Sequence, residues 1–154
     1  MSEQATAQAA GAPAGGLTER LAGLGREIGE REREHGESLR RAHGCAEALH
    51  RKVGEALDAF HASAAQGGAP HLRVALAEPR ADDKHLRSVQ FDLRRGRTVA
   101  IVTVKSRGDV TLVGPFHAGK TEGPCKTFPQ DAADEIDRAL GEFLESFLQE
   151  AATP

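Results

Sequence analysis

The fold is decided between residues 71 and 116, where four short segments have the composition of β-strands: HLRVALAE (71–78), VQFDLR (89–94), TVAIVTVK (98–105) and VTLVGPF (110–116). Apolar and polar side chains alternate in the first two segments, as in strands with one buried face. Turn sequences at Arg95-Gly96 and at 106–109 predict close hairpins. No connection is long enough for a crossover helix, so we expect a four-stranded antiparallel β-meander.

The third segment is apolar on both faces, with Val99 and Ile101 on one side and Ala100, Val102 and Val104 on the other. This pattern predicts a central strand that is covered on both sides. The second cover would be the helical segment at 53–60 or another subunit.

A C-terminal amphipathic helix is expected from about Pro129, because proline suits the first helical turn and several acidic residues follow it. Its apolar side chains recur at helical spacing: Ile136, Leu140, Phe143, Leu144, Phe147 and Leu148. We expect this helix to pack on the sheet, while the glycine- and proline-rich segment 117–129 is predicted to be a loop.

Residues 17–64 contain no proline and carry a long apolar stripe at helical spacing, which predicts a long N-terminal helix. Six glycines and the polar stretch 30–38 disfavour one continuous helix. The alternative is a helical hairpin, with Gly36 ending one helix and Ser38 capping the next. The Gly67-Gly68 pair is predicted to end the helical segment in either case.

The stripe is longer than the rest of the chain can cover, so a partner helix is expected, most simply from a second copy in a coiled coil. The chain is therefore expected to form a homodimer or another homo-oligomer. The predicted helix interface consists of Leu17, Leu21, Leu24, Ile28, His35, Leu39, Leu49 and Val53.

These observations predict an α+β fold in three parts: a disordered tail at 1–16, a helical oligomerisation segment at 17–64 and an α+β domain at 70–150. The tail is mostly alanine, glycine and glutamine, too poor in large apolar side chains to fold by itself. The sequence has neither a signal peptide nor an apolar run long enough to span a membrane. Two lone cysteines then indicate a cytoplasmic protein, and 15 arginines against 5 lysines suggest a GC-rich bacterial genome.

One segment, Gly114-Pro-Phe-His-Ala-Gly119-Lys120-Thr121, matches the phosphate-binding pattern GxxxxGK[ST]. A functional loop of this kind must lead into a helix whose amides bind phosphate. Pro124 and Pro129 exclude that helix, so we interpret the match as a chance one. A weak ligand-loop hypothesis is kept for Gly114, His117, Gly119, Lys120, Thr121 and Cys125.

No catalytic, cofactor-binding or metal-binding set emerges from the sequence. His43, His50 and His61 lie near one helical line, but their spacing is too wide for one helix to chelate a metal alone. Cys125 lies near His117, but no third group is found that would orient such a pair for nucleophilic catalysis.

Charge is distributed unevenly: residues 65–129 contain 11 bases and 6 acids, whereas residues 130–154 contain 7 acids and one base. A basic sheet suggests nucleic acid, but sheet readers of single strands use exposed aromatic side chains, and this chain has no Tyr or Trp. The leading hypothesis is a non-enzymatic oligomerisation or protein-interaction module. The alternative is a ligand- or nucleic-acid-binding protein that uses the basic sheet face and the 114–126 loop.

Overall fold

The computed structural model describes residues 16–82, 87–120 and 123–152. The predicted disordered tail thus lies, apart from Gly16, outside the described residues. The described residues form two helices and six strand segments, in the order α1 (Leu17–Gln66), β1 (Ala75–Leu76), β2 (Arg80–Ala81), β3 (Ser88–Arg95), β4 (Thr98–Lys105), β5 (Asp109–His117), β6 (Cys125–Pro129) and α2 (Ala133–Ala152). The predicted α+β architecture, with a long N-terminal helix, an antiparallel sheet and a C-terminal helix, is confirmed.

Helix α1 is a single helix of 50 residues, so the hairpin alternative is wrong. It ends as predicted, in a Schellman motif: the amide of Ala69 donates to the carbonyl of Ala64 at 2.7 Å, and the amide of Gly68 donates to Ala65 at 3.1 Å. Gly68 has a φ of +99° there, a conformation that favours glycine. The chain divides into two compact units between Glu37 and Ser38.

In the unit that begins at Ser38, the strands form one antiparallel sheet in the order β1-β3-β4-β5-β6, with β2 also paired to β3. The central β3–β4 hairpin pairs Ser88 with Lys105 and Arg95 with Thr98, as its alternation predicts. Strand β5 continues the meander beside β4. The three long predicted strands are therefore confirmed.

The edges of the sheet differ from the sequence prediction. Segment 125–129, predicted as part of a loop, forms strand β6 beside β5, with Phe128 opposite Val110. Its glycine and proline content suggested a loop, yet an edge strand tolerates proline because its outer amides need no partner. Helix α2 consequently begins at Ala133, four residues later than predicted.

At the opposite edge, only Ala75–Leu76 of the predicted strand 71–78 pairs with the sheet, and Arg80–Ala81 in the predicted loop forms a second short pairing with β3. The amide of Val74 bonds instead to the Nε2 atom of His61 on α1. A side chain has therefore taken the place of a ladder partner at this edge.

One hydrophobic core holds α1, the sheet and α2 of this unit together. It contains Ala42, Ala46, Leu49, Val53 and Leu57 from α1; Val74, Val89, Phe91, Leu93, Ala100, Val102, Val104, Val110 and Leu112 from the sheet segment; and Ile136, Leu140, Phe143, Leu144, Phe147 and Ala151 from α2. Both helices cover the face of β4 that carries Ala100, Val102 and Val104. On the other face Val99 is buried and Ile101 is half-buried. The helical segment at 53–60 does not supply the second cover that was expected there, and a cover from another subunit stays a prediction.

No helix in the described ranges is both long and apolar enough to cross a membrane.

Candidate functional site

The apolar stripe of α1 divides into two parts with different environments. Leu49 and Val53 are buried in the core, and Leu39 packs against it as a half-buried neighbour. These three residues therefore pack against the core of their own chain and need no second copy to cover them. His35 is half-buried.

The first four members of the stripe are exposed: Leu17 by 71%, Leu21 by 55%, Leu24 by 46% and Ile28 by 46%. We call these four residues the exposed stripe. Single exposed apolar side chains are ordinary, but a contiguous apolar patch on one helix face marks an interaction surface. The exposed stripe is therefore the first candidate site.

Two glycines, Gly25 and Gly29, lie on one flank of the exposed stripe, and Cβ atoms built on them would meet no heavy atom within 4 Å. The helix therefore carries little side-chain bulk on this flank. Farther from the stripe, Arg33 and Glu30 form an ion pair.

A second candidate site is a cleft of about 240 Å³ between the β5–β6 edge and α2. Its apolar lining comes from Leu112, Gly114, Pro115, Pro124, Ala139 and Phe143, and its polar lining comes from Cys125, Lys126, Glu142 and Ser146. Most of the lining is apolar, with a few polar groups at the boundary, which is the usual character of a small-molecule site.

The floor of this cleft is shaped by a β-bulge. The pairing of β4 with β5 shifts between Val99 and Ile101, so Gly114 and Pro115 together face Ala100. Gly114 has a φ of +111°, and its amide donates to the carbonyl of Pro124 at 2.8 Å. A Cβ atom at this position would lie 2.9 Å from the carbonyl oxygen of Val99, so only glycine fits the bulge.

Of the predicted ligand loop, the cleft contains Gly114 and Cys125. His117, Gly119 and Lys120 lie in and after the exposed end of β5, where the amide of Lys120 donates to the carbonyl of His117 at 3.1 Å; none of the three lines the cleft. Thr121 lies outside the described residues. The GxxxxGK segment leads into strand β6 rather than a helix, so it cannot bind phosphate in the manner of the motif.

Residues Glu142 and Ser146 were missed by the sequence analysis. Both are exposed on α2 and lie outside its buried stripe by helical spacing. Nothing in their spacing marks them as part of a site, and the cleft became recognisable only once β6 had been located.

Four arginines of the sheet region have partners within the chain. Arg94 and Arg80 lie 3.4 and 4.0 Å from the carboxylate of Asp92, and Arg107 pairs with Asp109 at 2.6 Å. Arg95 donates from Nη1 to the carbonyl of Ala151 at 2.6 Å and so caps the end of α2. The acidic helix is contacted by Lys52 of α1, whose Nζ lies 2.7 Å from Asp137.

The three aligned histidines of α1 serve separate contacts. His43 lies 3.4 Å from a carboxylate oxygen of Glu47. The Nε2 atom of His50 lies 3.0 Å from the carbonyl oxygen of Ala77, and its ring makes an edge contact with Phe91. Nowhere in residues 16–82, 87–120 and 123–152 do three His, Cys, Asp or Glu side chains converge as metal ligands would.

Among the titratable groups of the described residues, two have clearly shifted pKa values. Burial raises the pKa of the Cys45 thiol. Burial, reinforced by the nearby Arg73 guanidinium, lowers the pKa of His61, while Asp58 opposes the shift. Both cysteines are free thiols.

No protein-family model, curated protein or solved structure matches this chain.

Proposed function

We propose that this protein is a non-enzymatic interaction module that assembles with itself through the exposed stripe of α1. The observation that carries the proposal is the exposure of Leu17, Leu21, Leu24 and Ile28 on one helix face. Removing such side chains from water is favourable by roughly 25 cal/mol per Å² of apolar area, and a homo-oligomer is the simplest way to cover them.

The module is proposed to act in the cytoplasm of a bacterium, as a homodimer or a larger homo-oligomer that can present its sheet domain to a protein partner. The two free thiols support a reducing compartment. Self-association would give each assembly two or more copies of the sheet domain, which raises the avidity for any repeated partner.

The test is the molar mass of the full chain by size exclusion with light scattering. The wild type should be a dimer or larger at micromolar concentration, and Leu21→Glu/Leu24→Glu should be monomeric. The matched control is Ala22→Glu/Arg26→Gln, which makes the same charge change on the opposite side of the helix. A monomeric wild type, or equal loss of assembly in the control, would overturn the proposal.

A second candidate function is binding of a small molecule in the cleft between β6 and α2. It is favoured by the shape of the cleft and by Lys126 and Glu142, which supply opposite charges at a mostly apolar surface. Nucleic-acid binding by the sheet is less favoured, because Arg80, Arg94 and Arg107 already have carboxylate partners.

The cleft can be tested by a fragment screen detected by NMR. Binding fragments should shift the amide signals of Lys126 and Ser146, and Ala139→Leu should abolish binding by filling the cleft. Ala133→Leu, an exposed alanine on the same helix, is the matched control and should leave binding unchanged. Absence of any fragment that shifts these signals would eliminate this candidate.

A further inference from the structure

The charges beside the exposed stripe determine how a second copy would be oriented. The four apolar residues are separated by four, three and four positions, which is the alternation of the d and a positions of a heptad. In this phase Leu21 and Ile28 occupy a, while Arg20 and Glu27 occupy g, directly beside the seam. The opposite flank, position e, carries Thr18 and Gly25.

In a parallel pair of helices, a g residue faces the e residue five positions later on the partner. Glu27 would then face the partner's Glu32, and Arg20 would face the partner's Gly25. The parallel arrangement therefore contains two repulsive contacts between Glu27 of one copy and Glu32 of the other, and it leaves Arg20 without a carboxylate partner.

In an antiparallel pair, g residues face g residues. The register that packs Leu21 on the partner's Leu24, and Leu17 on the partner's Ile28, keeps every layer of the seam apolar. The same register places Arg20 beside the partner's Glu27, and the two-fold symmetry repeats that ion pair. One alignment thus satisfies both the seam and the charges.

Arg20 and Glu27 are available for such pairing. Both are exposed, and in the described ranges neither takes part in a side-chain ion pair, whereas Arg33 and Glu30 on the far side are paired. The e flank supports the arrangement independently, because Thr18 would meet Gly25 and both side chains are small. Gly25 has no side chain, so this flank adds little steric bulk to the pair.

We propose that the occupant of the exposed stripe is a second copy of this chain in antiparallel orientation, overlapping over residues 17–28 and held in register by two reciprocal Arg20–Glu27 ion pairs. This inference rests on the proposed self-association and adds its geometry. It assigns the first turns of α1 as the interface and Arg20 and Glu27 as the residues that determine orientation.

Charge reversal tests the pairing. Arg20→Glu and Glu27→Arg should each raise the dimer dissociation constant about tenfold, because each change makes two like-charged contacts. The double variant Arg20→Glu/Glu27→Arg restores opposite charges and should return the constant to within about threefold of the wild type. Arg26→Glu, at the remote f position, is the matched control and should have no effect.

Each result is decisive. If the double variant dimerises no more tightly than either single variant, the proposed register is overturned. If Leu21→Glu/Leu24→Glu still abolishes the dimer in that case, the proposed self-association stands although the register fails. A monomeric wild type would overturn both. Equal weakening by Arg26→Glu would show a general charge effect and would also overturn the assigned ion pairs.

Spin-label distances test the orientation separately. Labels are placed at Ala22→Cys or Arg33→Cys in the full chain carrying Cys45→Ala and Cys125→Ser. An antiparallel pair centred between positions 22 and 23 places the two labels at position 22 at the same height along the helix axis. The two labels at position 33 are then separated by roughly 30 Å along that axis, at 1.5 Å per residue. Similar short distances for both labels would mean a parallel pair and would overturn the proposal.

Discussion

The Nε2 atom of His61 accepts a hydrogen bond from the backbone amide of Val74 at a distance of 3.0 Å. This bond attaches the chain just before β1 to helix α1, at a place where the edge of the sheet leaves the amide without a ladder partner. It requires the His61 ring to be neutral, because a protonated imidazole has no acceptor nitrogen.

Stability should therefore fall in acid through His61. Its pKa in the folded state is lowered from 6.5 by burial and by Arg73, with Asp58 opposing. The unfolded chain then binds the proton more readily, so the contribution of His61 is fully present above about pH 6.5 and is lost as the pH falls through the lower, folded pKa. Urea unfolding across pH 5–8 measures this slope.

The matched variants are His61→Gln, whose amide oxygen can still accept the bond, and His43→Gln on the exposed side of the same helix. The first should flatten the acid limb of the stability profile and the second should leave it unchanged. An identical slope in the wild type and His61→Gln would contradict the assignment.

Substitution of Gly114 by alanine should be strongly destabilising. Its φ of +111° is strained for any L side chain, and the added Cβ would lie 2.9 Å from the carbonyl oxygen of Val99. We expect a loss of about 2–4 kcal/mol in the free energy of unfolding. Gly119 has a similar φ of +97°, but a Cβ there would have no neighbour within 4 Å. Gly119→Ala should therefore lower the free energy of unfolding by about 1 kcal/mol. Equal losses in urea unfolding would mean that the close approach in the bulge is unimportant.

Truncation of Val53 should show that this part of the apolar stripe belongs to the core. Its side chain is fully buried in the cluster that joins α1, the sheet and α2. Val53→Ala should lower the free energy of unfolding by about 1–3 kcal/mol through a cavity, whereas Glu55→Ala on the exposed side should change it by less than about 0.5 kcal/mol. The dimer constant should be unaffected, and a marked weakening of assembly by Val53→Ala would place the interface elsewhere.

The two thiols should differ in reactivity. Cys125 is exposed at the cleft, whereas Cys45 is half-buried and burial raises its pKa. Because the thiolate is the reactive form, alkylation of the folded protein should modify Cys125 at least about tenfold faster. Mass spectrometry of iodoacetamide-treated protein measures both rates, and Cys45→Ala and Cys125→Ser assign the signals. Faster modification of Cys45 would be incompatible with its environment.

The sequence was sufficient to predict elements whose pattern involves only residues close to one another in the chain. The stripe of α2 from Ile136 to Leu148, the β3–β4 hairpin around Gly96 and the glycine stop at Gly68 were all predicted from spacing or turn chemistry. Each depends on side chains within a few residues of one another, so no distant partner was needed to recognise it.

The wrong predictions concern segments whose structure depends on a partner that is distant in the sequence. Strand β6 contains Pro129 and follows Pro124, and only its pairing with β5 makes it a strand. Strand β1 is short because His61, thirteen positions before Val74, provides the bond that a neighbouring strand would otherwise make. The cleft combines both effects, since Lys126 and Ser146 come together only after β6 and α2 have been placed.

The core of the sheet domain has a consequence for biosynthesis. It joins Ala42 of α1 to Ala151 in the last turn of α2, and Arg95 in the central hairpin bonds to that same turn. During translation the strands emerge before α2, so the part of the sheet face that α2 covers, including Leu112, would still be exposed. A nascent chain at that stage exposes an apolar sheet face and is prone to aggregate, so the ribosome-bound intermediate is where this protein would most need a chaperone.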